Sequence, residues 1–450
     1  MNKLAKKDIV KIINDYQLYS YDILKKFVIE NKNVFSFYDL SLIIELSNQK
    51  RNETNAYYTN DFLISYIINY LPNFEGKDTI SIIEPSVGAG NFMPYLFEKY
   101  KDKKQVYLIV VDIDSDILNL LKIIYSPENI PNNFSINFVV GDFMSLQLKP
   151  VDLIVGNPPF AKLSCKEIKN LNGKYSNSTK NLAGFFLEKS LNLADKVSLI
   201  LPKNLLNTSD YYGIREKITK NHQVEYIIDF GEKGFSGVLI ETINLIVSKN
   251  KKEFNNIVNI ISIPQNIKIA QYSNYIFDNA FPYWIIYRNI DFDNILEKME
   301  LGVFNSIRDR QLTNSEIYIR KKSNNDIRVL KSRNISDDGS GIIDIDGYDA
   351  YVEYKNLHKY SISKFLDNDT VYLTPNMTYN PRVIKKEKGY IVNGSVAILI
   401  PKFNFTLNKK QLSFLSSDTF RKFYKIARNY QTRSLNIDNN SCYWFGIYKE

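Results

Sequence analysis

A short turn near residue 157 carries side chains that could activate an amine. An apolar run ending at Gly156 is followed by Asn157, Pro158, Pro159 and Phe160. Two successive prolines supply no backbone N–H and stiffen the turn, which fixes the Asn157 amide oxygen and the Pro158 carbonyl as hydrogen-bond acceptors. An adenine amine is a poor nucleophile because its lone pair is delocalised into the ring. Accepting its two N–H bonds would favour the pyramidal geometry that frees the lone pair.

The Phe160 ring would serve the same chemistry through a different contact. An aromatic face on which an extruded base stacks is worth roughly 1–3 kcal/mol. The alternative interpretation is an ordinary proline-stiffened turn that ends a core strand. We favour the chemical interpretation because of the residues at the preceding strand ends.

A glycine-containing turn upstream predicts a nucleotide-like cofactor site. The run SIIEPSVGAGN places Glu84 at the end of a strand, and Gly88 and Gly90 in the turn that leads into a helix. Glycines at the carboxyl end of a parallel strand let the backbone approach a ligand closely. The alternative is an ordinary strand-to-helix turn. No lysine of the phosphate-binding type follows these glycines, which argues against a triphosphate.

Acidic residues at the next two strand ends extend this site. Asp112 ends the second strand, about 20 residues past the glycines, where a carboxylate accepts hydrogen bonds from both ribose hydroxyls. Asp142 follows the third strand and is placed to accept a hydrogen bond from an adenine amino group, while Phe143 could pack on the ring. Three consecutive strand ends therefore present acceptors to a neutral, adenosine-like ligand.

The elements that must position these residues have the pattern of a covered sheet. Seven short apolar runs lie between residues 79 and 248: TISIIE, QVYLIVVDID, SINFVV, DLIVGN, VSLILP, QVEYIIDF and ETINLIVS. Continuous apolar strands that alternate with helices are typical of a parallel sheet covered on both faces. The last two runs leave no room for a crossover helix and should pair antiparallel. The pattern predicts an α/β fold with a seven-stranded, mostly parallel, Rossmann-like sheet and a reversed hairpin at its edge.

Shifts in composition divide the chain into three parts. Residues 1–50 carry apolar positions at helical spacing and are predicted to form a small helical element. Residues 51–255 hold the sheet, and a charged, Asn-rich stretch around residues 249–256 marks its end. Residues 256–450 combine strand-like runs and turn signals with one strong helix near residues 418–430. This last part is predicted to be a mixed α+β domain.

The composition also argues against several classes of protein. Two cysteines, Cys165 and Cys442, and two histidines supply neither a disulfide framework nor zinc-ligand spacing, and we expect no metal. No apolar run approaches the roughly 18 residues of a membrane-spanning helix, and residues 1–15 lack the apolar core of a signal peptide. We therefore expect a cytoplasmic protein with no membrane partner.

The net charge of +9 is concentrated toward the C-terminus. Residues 261–450 hold 27 Lys and Arg against 20 Asp and Glu, a charge of +7, which leaves +2 for the first 260 residues. A basic excess is the expected footprint of a phosphate-binding surface, although a moderate one also occurs on proteins that never meet nucleic acid.

The order of these motifs resembles that of the amino-methyltransferases of DNA in which the cofactor motif precedes the catalytic motif and the recognition domain is C-terminal. EPSVGAG, VDID, GDF and NPPF match four family motifs in order and spacing. NAYYTN resembles the upstream cofactor motif, and LPKNLL resembles a later one. The resemblance covers roughly residues 54–248 and is to the adenine-N6 methyltransferases of restriction–modification systems.

The resemblance implies a site-specific enzyme that methylates N6 of adenine in double-stranded DNA from S-adenosyl-L-methionine, by base flipping and direct in-line transfer. It makes residues 51–255 the methyltransferase domain and residues 256–450 the target-recognition domain. Phe160 replaces the commoner tyrosine, so a hydrogen bond from that hydroxyl is absent. Phe235 lies where the family carries a second aromatic that packs on the extruded base. The catalytic residues implied are Asn157, Pro158, Pro159 and Phe160; the cofactor contacts are Tyr58, Thr59, Glu84, Gly88, Gly90, Asp112, Asp142 and Phe143.

The C-terminal part resembles target-recognition domains more loosely. Arginine and lysine contacts to guanine are the commonest specific pairings with DNA, and Arg333, Arg382 and Arg428 are the expected substrate contacts. A solvated surface charge is the alternative for each of them. We expect a monomer on duplex DNA, with a cognate restriction endonuclease encoded separately.

Other functions remain open from the residues alone. A protein glutamine N5 methyltransferase uses the same turn but usually lacks a long basic C-terminal domain. Asparagine at the head of the turn disfavours cytosine N4, and Cys165 lacks the setting required for cytosine C5 chemistry. A combined restriction nuclease and methylase is the other alternative, since the run Val352–Lys355 with Asp344 and Asp346 faintly resembles a nuclease site. A non-catalytic DNA-binding subunit would have no use for the acceptors of Asn157.

Overall fold

A computed structural model of the chain describes residues 3–48, 61–171, 175, 179–234, 240–249, 255–378, 380–432 and 436–449. The chain forms two compact units, Met1–Trp284 and Ile285–Glu450. Each unit has its own sheets. No helix in the described ranges is long and apolar enough to cross a membrane.

The first unit is an α/β structure whose helices and strands alternate through most of its length. Its elements are α1 (Lys6–Asp15), α2 (Tyr21–Asn31), α3 (Phe37–Ser47), α4 (Asp61–Tyr70), β1 (Thr79–Glu84), α5 (Met93–Lys99), β2 (Gln105–Asp112), α6 (Ser115–Ile124), β3 (Phe134–Val140), β4 (Val151–Gly156), α7 (Cys165–Leu171), α8 (Leu182–Leu193), β5 (Ala194–Pro202), α9 (Tyr212–Asn221), β6 (Gln223–Gly231), β7 (Thr242–Ser248), β8 (Ile257–Ser262), β9 (Ile267–Tyr272) and α10 (Ser273–Ile276).

One large sheet organises this unit. Its nine described strands lie in the order β3-β2-β1-β4-β5-β7-β6-β8-β9. Strands β1 to β5 pair parallel, and β7 runs antiparallel between β5 and β6. The inner strands β4, β5 and β7 are buried along nearly their whole length, and their sequences are continuously apolar, as is typical of strands in a covered sheet. The predicted α/β class and mostly parallel sheet are confirmed.

The sheet continues beyond its expected last strand. Strand β8 pairs parallel with β6, and β9 pairs antiparallel with β8, so the reversed β7 lies inside the sheet and β9 forms the edge. The charged stretch around residues 249–256, expected to end the domain, connects two strands of one sheet instead. Strand β9 alternates between exposed and partly buried positions, as an edge strand does, and its weak apolar signal explains why the sequence pattern missed it. The first unit therefore extends to Trp284.

Three helices precede the sheet within residues 3–48. Ile9, Ile13, Leu24, Phe27 and Val28 are buried in the same core as the apolar side chains of β1, β2 and α6. The helical spacing of these residues in the sequence therefore reflects a face that packs on the sheet unit. The N-terminal helices are part of the first unit's core.

The second unit contains three small sheets and three α-helices among its described residues. Its elements are α11 (Ile290–Leu296), β10 (Met299–Glu300), β11 (Phe304–Arg308), β12 (Ile327–Leu330), β13 (Ala350–Val352), β14 (Tyr372–Pro375), β15 (Ile384–Lys385), β16 (Tyr390–Val392), β17 (Val396–Pro401), α12 (Lys409–Leu415), α13 (Asp418–Ala427) and β18 (Ile447–Tyr448). The sheets have the orders β11-β17-β14-β15, β13-β12-β16 and β10-β18. Helix α13 coincides with the predicted helix, and Ser417 caps it by accepting a hydrogen bond from the Phe420 N–H.

Candidate active site

The residues singled out in the first unit converge at one edge of the large sheet. Strands β1 to β4 run parallel, so their carboxyl ends meet there, which is where ligands bind in sheets of this kind. The Gly88 N–H donates to Asp112 Oδ2 at 2.8 Å, and Ser86 Oγ donates to the Asn157 carbonyl at 2.9 Å. The ends of β1, β2 and β4 are thus connected by direct hydrogen bonds.

The turn after β1 has the conformation that its glycines predict. Gly88 and Gly90 have φ values of +51° and +78°, which side chains disfavour. A Cβ atom on Gly88 would meet no atom within 4 Å, whereas one on Gly90 would lie 3.1 Å from Leu121 Cδ2. Gly88 therefore borders open space at the sheet edge, and Gly90 permits close packing of the turn on α6.

One buried carboxyl group, that of Glu84, and one partly buried carboxyl group, that of Asp112, lie beside this turn. Glu84 is 2% exposed, and burial together with the negative charge of Asp112 raises its pKa well above the usual range of a glutamate. Removal from water also raises the pKa of Asp112, although its carboxylate accepts hydrogen bonds from the N–H groups of Gly88 and Asp114. Two carboxyl groups held this close and away from water favour a ligand that brings cationic or hydroxyl donors.

One oxygen of this pair is available as an acceptor. Glu84 Oε2 is buried and has no hydrogen-bond partner among the described residues. A buried carboxylate oxygen without a donor costs roughly 1–3 kcal/mol, or more when charged, and a ligand that donates to it recovers that cost. The site therefore fits a ligand with hydroxyl or ammonium donors.

Asp142 and Phe143 lie at the end of β3 but differ in what they present. Asp142 is exposed, and its carboxylate accepts from the Met144 N–H at 2.9 Å and from Ser145 Oγ at 2.8 Å. Phe143 is 1% exposed, and its ring packs on Phe186 with centroids 5.0 Å apart. The ring therefore lies in the core rather than at the sheet edge, and the expected stacking of Phe143 on an adenine has no exposed face to use. Asp142 remains accessible.

The Asn157–Phe160 turn follows β4 directly and packs behind the end of β1. A Cβ atom on Gly156 would lie 3.2 Å from Pro85 Cδ, so the glycine permits this close approach. The Asn157 side-chain oxygen is buried, while Pro159 and Phe160 are partly exposed. Phe160 packs partly against the core of the first unit, so its ring has both a supported and an accessible portion.

Three of the expected site residues lie outside the described residues. These are Tyr58 and Thr59 of the upstream cofactor motif and Phe235, the expected second aromatic. The remaining site residues of the first unit lie at or beside the carboxyl edge of the sheet, apart from the Phe143 ring, which is buried.

A buried ion cluster at the same edge was missed by the sequence interpretation. Lys203 is 1% exposed, and its Nζ lies 2.8 Å from Asp229 Oδ2 and 3.6 Å from Glu241 Oε1. It begins the segment after β5, whereas the two carboxylates flank the connection between β6 and β7. The lysine belongs to the LPKNLL motif, but the residues that pair with it lie far along the sequence, at positions 229 and 241. No local pattern reveals such a pairing.

The three arginines expected to contact DNA occupy different environments in the second unit. Arg333 is exposed on the turn after β12, and its guanidinium lies 4.9 Å from the centre of the Tyr348 ring. The Arg382 side chain is 11% exposed and donates to the carbonyls of Ser332, Ile335 and Asn380. Arg428 is 6% exposed at the end of α13.

The expected contact role of Arg382 and Arg428 therefore needs correction. Burial lowers the pKa of Arg382, and the donors of its guanidinium are directed to backbone carbonyls of its own unit. Arg428 is buried and donates to Gln431 Oε1 at 3.2 Å. The Arg382 and Arg428 side chains therefore make hydrogen bonds within the second unit, whereas Arg333 is exposed on its surface.

The residues that faintly resemble a nuclease site make ion pairs with their neighbours. Lys355 lies 3.0 Å from Glu353, its neighbour within the same run, and Asp344 lies 2.5 Å from Arg328. Across the described residues, no group of three or more His, Cys, Asp or Glu side chains is arranged to hold a metal ion.

Comparisons with known proteins agree with the geometry of the sheet unit. Residues 89–235 match the model of the Eco57I restriction-modification methylase family. The modification methylase CviBIII of Paramecium bursaria Chlorella virus NC1A is 24% identical over 177 residues, which cover 38% of this chain and 44% of that protein. The type II methyltransferase M.BanIII of Aneurinibacillus aneurinilyticus is 24% identical over 240 residues, covering 45% of this chain and 40% of that protein. The resemblance to restriction–modification methylases is confirmed.

The match to the curated methylases covers only part of each protein. The matched segments span less than half the length of either curated relative. Methylases of this family use S-adenosyl-L-methionine, so the predicted cofactor is confirmed for the family. Among solved structures, the type IIL restriction-modification enzyme MmeI in complex with DNA has a similar fold, with a TM-score of 0.58 and 11% identity over 86% of this chain and 67% of that one.

Proposed function

We propose that this chain is a site-specific DNA methyltransferase that transfers a methyl group from S-adenosyl-L-methionine to the N6 amino group of adenine in duplex DNA. The proposal includes base flipping, direct in-line transfer and a role as the modification enzyme of a restriction–modification system. The observation that carries it is the Asn157–Phe160 turn, which lies against the end of β1 beside the Glu84 and Asp112 carboxyls. Hydrogen-bond acceptors for the substrate amine therefore lie at the same edge of the sheet as the carboxyl groups that would bind the cofactor.

The cofactor would be held by groups that match its donors. The ribose hydroxyls of S-adenosyl-L-methionine suit the Asp112 carboxylate, its ammonium group suits Glu84, and its adenine amine suits Asp142. Gly88 borders open space, so the cofactor could approach the main chain closely at this position. When bound, the cofactor supplies an electrophilic methyl group. Tyr58 and Thr59 are proposed as further contacts from the resemblance.

The protein's own groups would prepare the amine for attack. Asn157 and the Pro158 carbonyl accept its two N–H bonds, which localises the nitrogen lone pair. Phe160, supported on one side by the core, would stack on the extruded adenine and offset the few kcal/mol needed to remove it from the duplex. Phe235 is proposed as the second stacking ring.

The second unit is the proposed target-recognition domain. Its basic excess supports contact with phosphates, and Arg333 is the expected substrate contact that lies on its surface. Because the Arg382 side chain is only 11% exposed and Arg428 is 6% exposed, we assign them no contact with DNA.

A single experiment tests the reaction and its main alternatives together. The purified chain is incubated with methyl-labelled S-adenosyl-L-methionine and unmethylated genomic DNA, and the nucleosides are then separated. N6-methyladenine at a defined sequence is the expected product. Label in N4-methylcytosine, label in a glutamine-containing protein substrate instead of DNA, or cleavage of the DNA would each contradict a specific part of the proposal.

A further inference from the structure

Helix α8 makes contact with two segments that the proposed function uses. Near its C-terminal end, Lys189 reaches the loop that follows Asp142, and at its N-terminal end Asn181 and Leu182 meet the segment that follows Phe160. A helix is a rigid spacer, with a rise of about 1.5 Å per residue. Both contacts therefore lie on one rigid element.

The Lys189 contact is made through main-chain acceptors. Lys189 is 8% exposed, and its Nζ donates to the carbonyls of Phe143, Met144 and Leu146, the last two at 3.2 and 2.7 Å. The same Nζ lies 4.9 Å from the centre of the Phe143 ring. One amino group thus joins three main-chain carbonyls of the loop.

Asp142 organises the other side of the same loop. Its carboxylate accepts from the Met144 N–H and Ser145 Oγ, and its carbonyl accepts from the N–H groups of Ser145 and Leu146 at 2.9 and 3.1 Å. Movement of the Phe143 carbonyl away from Lys189 would therefore turn the peptide unit whose Met144 N–H donates to the Asp142 carboxylate. The two residues are mechanically coupled through peptides 143–146.

The other end of α8 is attached to the segment after the catalytic turn. The Leu182 N–H donates to the Ala161 carbonyl at 2.8 Å, and the Leu163 N–H donates to the Lys180 carbonyl at 2.8 Å. Asn181 caps the helix by accepting from the Ala183 N–H. The start of α8 is therefore fixed to residues 161–163, just beyond Phe160.

We propose that Lys189 is a positioning residue that sets the orientation of Asp142 toward the cofactor, with α8 as the spacer that relates this carboxylate to the Asn157–Phe160 turn. The inference rests on the proposed function, because it needs Asp142 to contact the cofactor. Lys189 itself touches neither substrate nor cofactor. Its effect passes through the carbonyls of Phe143, Met144 and Leu146.

The test is a double-mutant cycle on binding of S-adenosylhomocysteine, measured by titration calorimetry with the full chain. Lys189→Met keeps the length of the side chain and removes its donors. We expect the Kd for S-adenosylhomocysteine to rise on the order of tenfold in Lys189→Met, because coupled neighbours share interaction energies of this order. Asp142→Ala should produce at least as large a rise, and the double variant should be no more than about twofold weaker than Asp142→Ala alone.

The matched control is Lys217→Met. Lys217 contacts the same helix, at Glu188 Oε1 and Asn192 Oδ1, both at 3.2 Å, but no described contact joins it to the 143–146 loop. Its Kd should stay within twofold of the wild type. Hydrogen exchange of a peptide covering residues 141–148 should accelerate in Lys189→Met and not in Lys217→Met. If Lys189→Met unfolds at the assay temperature, Lys189→Gln keeps one donor and should show a smaller rise in Kd with the same dependence on Asp142.

The outcomes separate this inference from the function on which it rests. A rise in Kd for Asp142→Ala with no rise for either Lys189 variant overturns the positioning role and leaves the cofactor site in place. Fully multiplicative effects in the double variant also overturn it, because Lys189 would then act independently of Asp142. An unchanged Kd in Asp142→Ala overturns both the proposed contact of Asp142 and the inference built on it.

Discussion

Replacing Glu84 by glutamine should stabilise the ligand-free chain and weaken its cofactor binding. Glu84 is 2% exposed and lies close to the Asp112 carboxyl, and both effects raise its pKa well above the usual range. In the folded state the ionised form is therefore penalised, and glutamine has nearly the same shape without the charge. We expect a gain of about 1–3 kcal/mol near neutral pH, which corresponds to roughly 2–4 °C in Tm for each kcal/mol.

The pH dependence of this gain in stability tests independently whether Glu84→Gln is stabilising. The folded-state pKa of Glu84 lies above its unfolded value, so below the unfolded pKa both states hold the proton and the charge costs nothing. As pH rises from the usual glutamate range through the raised folded pKa, the wild type loses stability that Glu84→Gln keeps. The difference in Tm between the two proteins should therefore be small in acid and should grow toward neutral pH.

The same substitution should weaken binding of the cofactor. A hydrogen bond to a charged group contributes about 1.5–3 kcal/mol, so the Kd for S-adenosyl-L-methionine should become roughly tenfold to a hundredfold weaker. Calorimetric titration measures this Kd, and differential scanning fluorimetry between pH 5 and 8 measures Tm. Glu98→Gln is the matched control, since the Glu98 side chain is 75% exposed and pairs with Lys101 on the surface. A variant with unchanged Kd, or one less stable than wild type at neutral pH, would refute the assignment of Glu84 as a buried acceptor for the cofactor.

The other predictions concern the base and the DNA. Asn157→Ala should lower kcat by several orders of magnitude while the Kd for S-adenosylhomocysteine changes little, because the lost contact is with the reacting amine; near-normal turnover in single-turnover assays would exclude this role. Phe160→Ala should impair methylation of a paired adenine more than of a mismatched one, and Phe160→Tyr should be tolerated. Equal losses on both targets would assign the ring to the core, and 2-aminopurine fluorescence at the target reports extrusion. Arg333→Ala should weaken DNA binding or relax sequence preference without lowering Tm, whereas Arg382→Ala should lower Tm by several degrees through loss of its bonds to three carbonyls. Titration of DNA at several salt concentrations and thermal melts would contradict this division if the two arginines behaved alike.

The local parts of the site were predictable because each depends on a few consecutive residues. The positive φ values of Gly88 and Gly90 follow from glycine in a strand-to-helix turn, and the Asn157–Phe160 turn follows from its two prolines. The parallel order of β1 to β4 then brings these turns to one edge. Local conformation and the rules of parallel sheets were therefore sufficient to predict both turns and their position at one edge of the sheet.

Two features of the first unit could not be obtained in this way. Strands β8 and β9 follow a charged stretch typical of a linker, and their place in the sheet depends on pairing with β6, about 30 residues earlier. Lys189 lies in the mostly apolar sequence of α8, and its role depends on three carbonyls more than 40 positions upstream. Pairings this distant in sequence carry no local signal, and only the folded arrangement defines them.

Charge along a sequence is a poor measure of the charge that a surface presents. Among the basic residues that contribute to the positive charge of residues 261–450, the Arg382 side chain is 11% exposed, Arg428 is 6% exposed and Lys386 is 1% exposed. Burial lowers the pKa of Lys386 to about 8, so part of its positive charge is lost just above neutral pH. A guanidinium or ammonium enclosed by carbonyls of its own unit cannot release counterions from DNA phosphates, which is the main source of affinity in nonspecific binding. The slope of DNA affinity against salt should therefore follow the exposed basic residues, such as Arg333, and substitution of the buried ones should change stability and leave that slope unchanged.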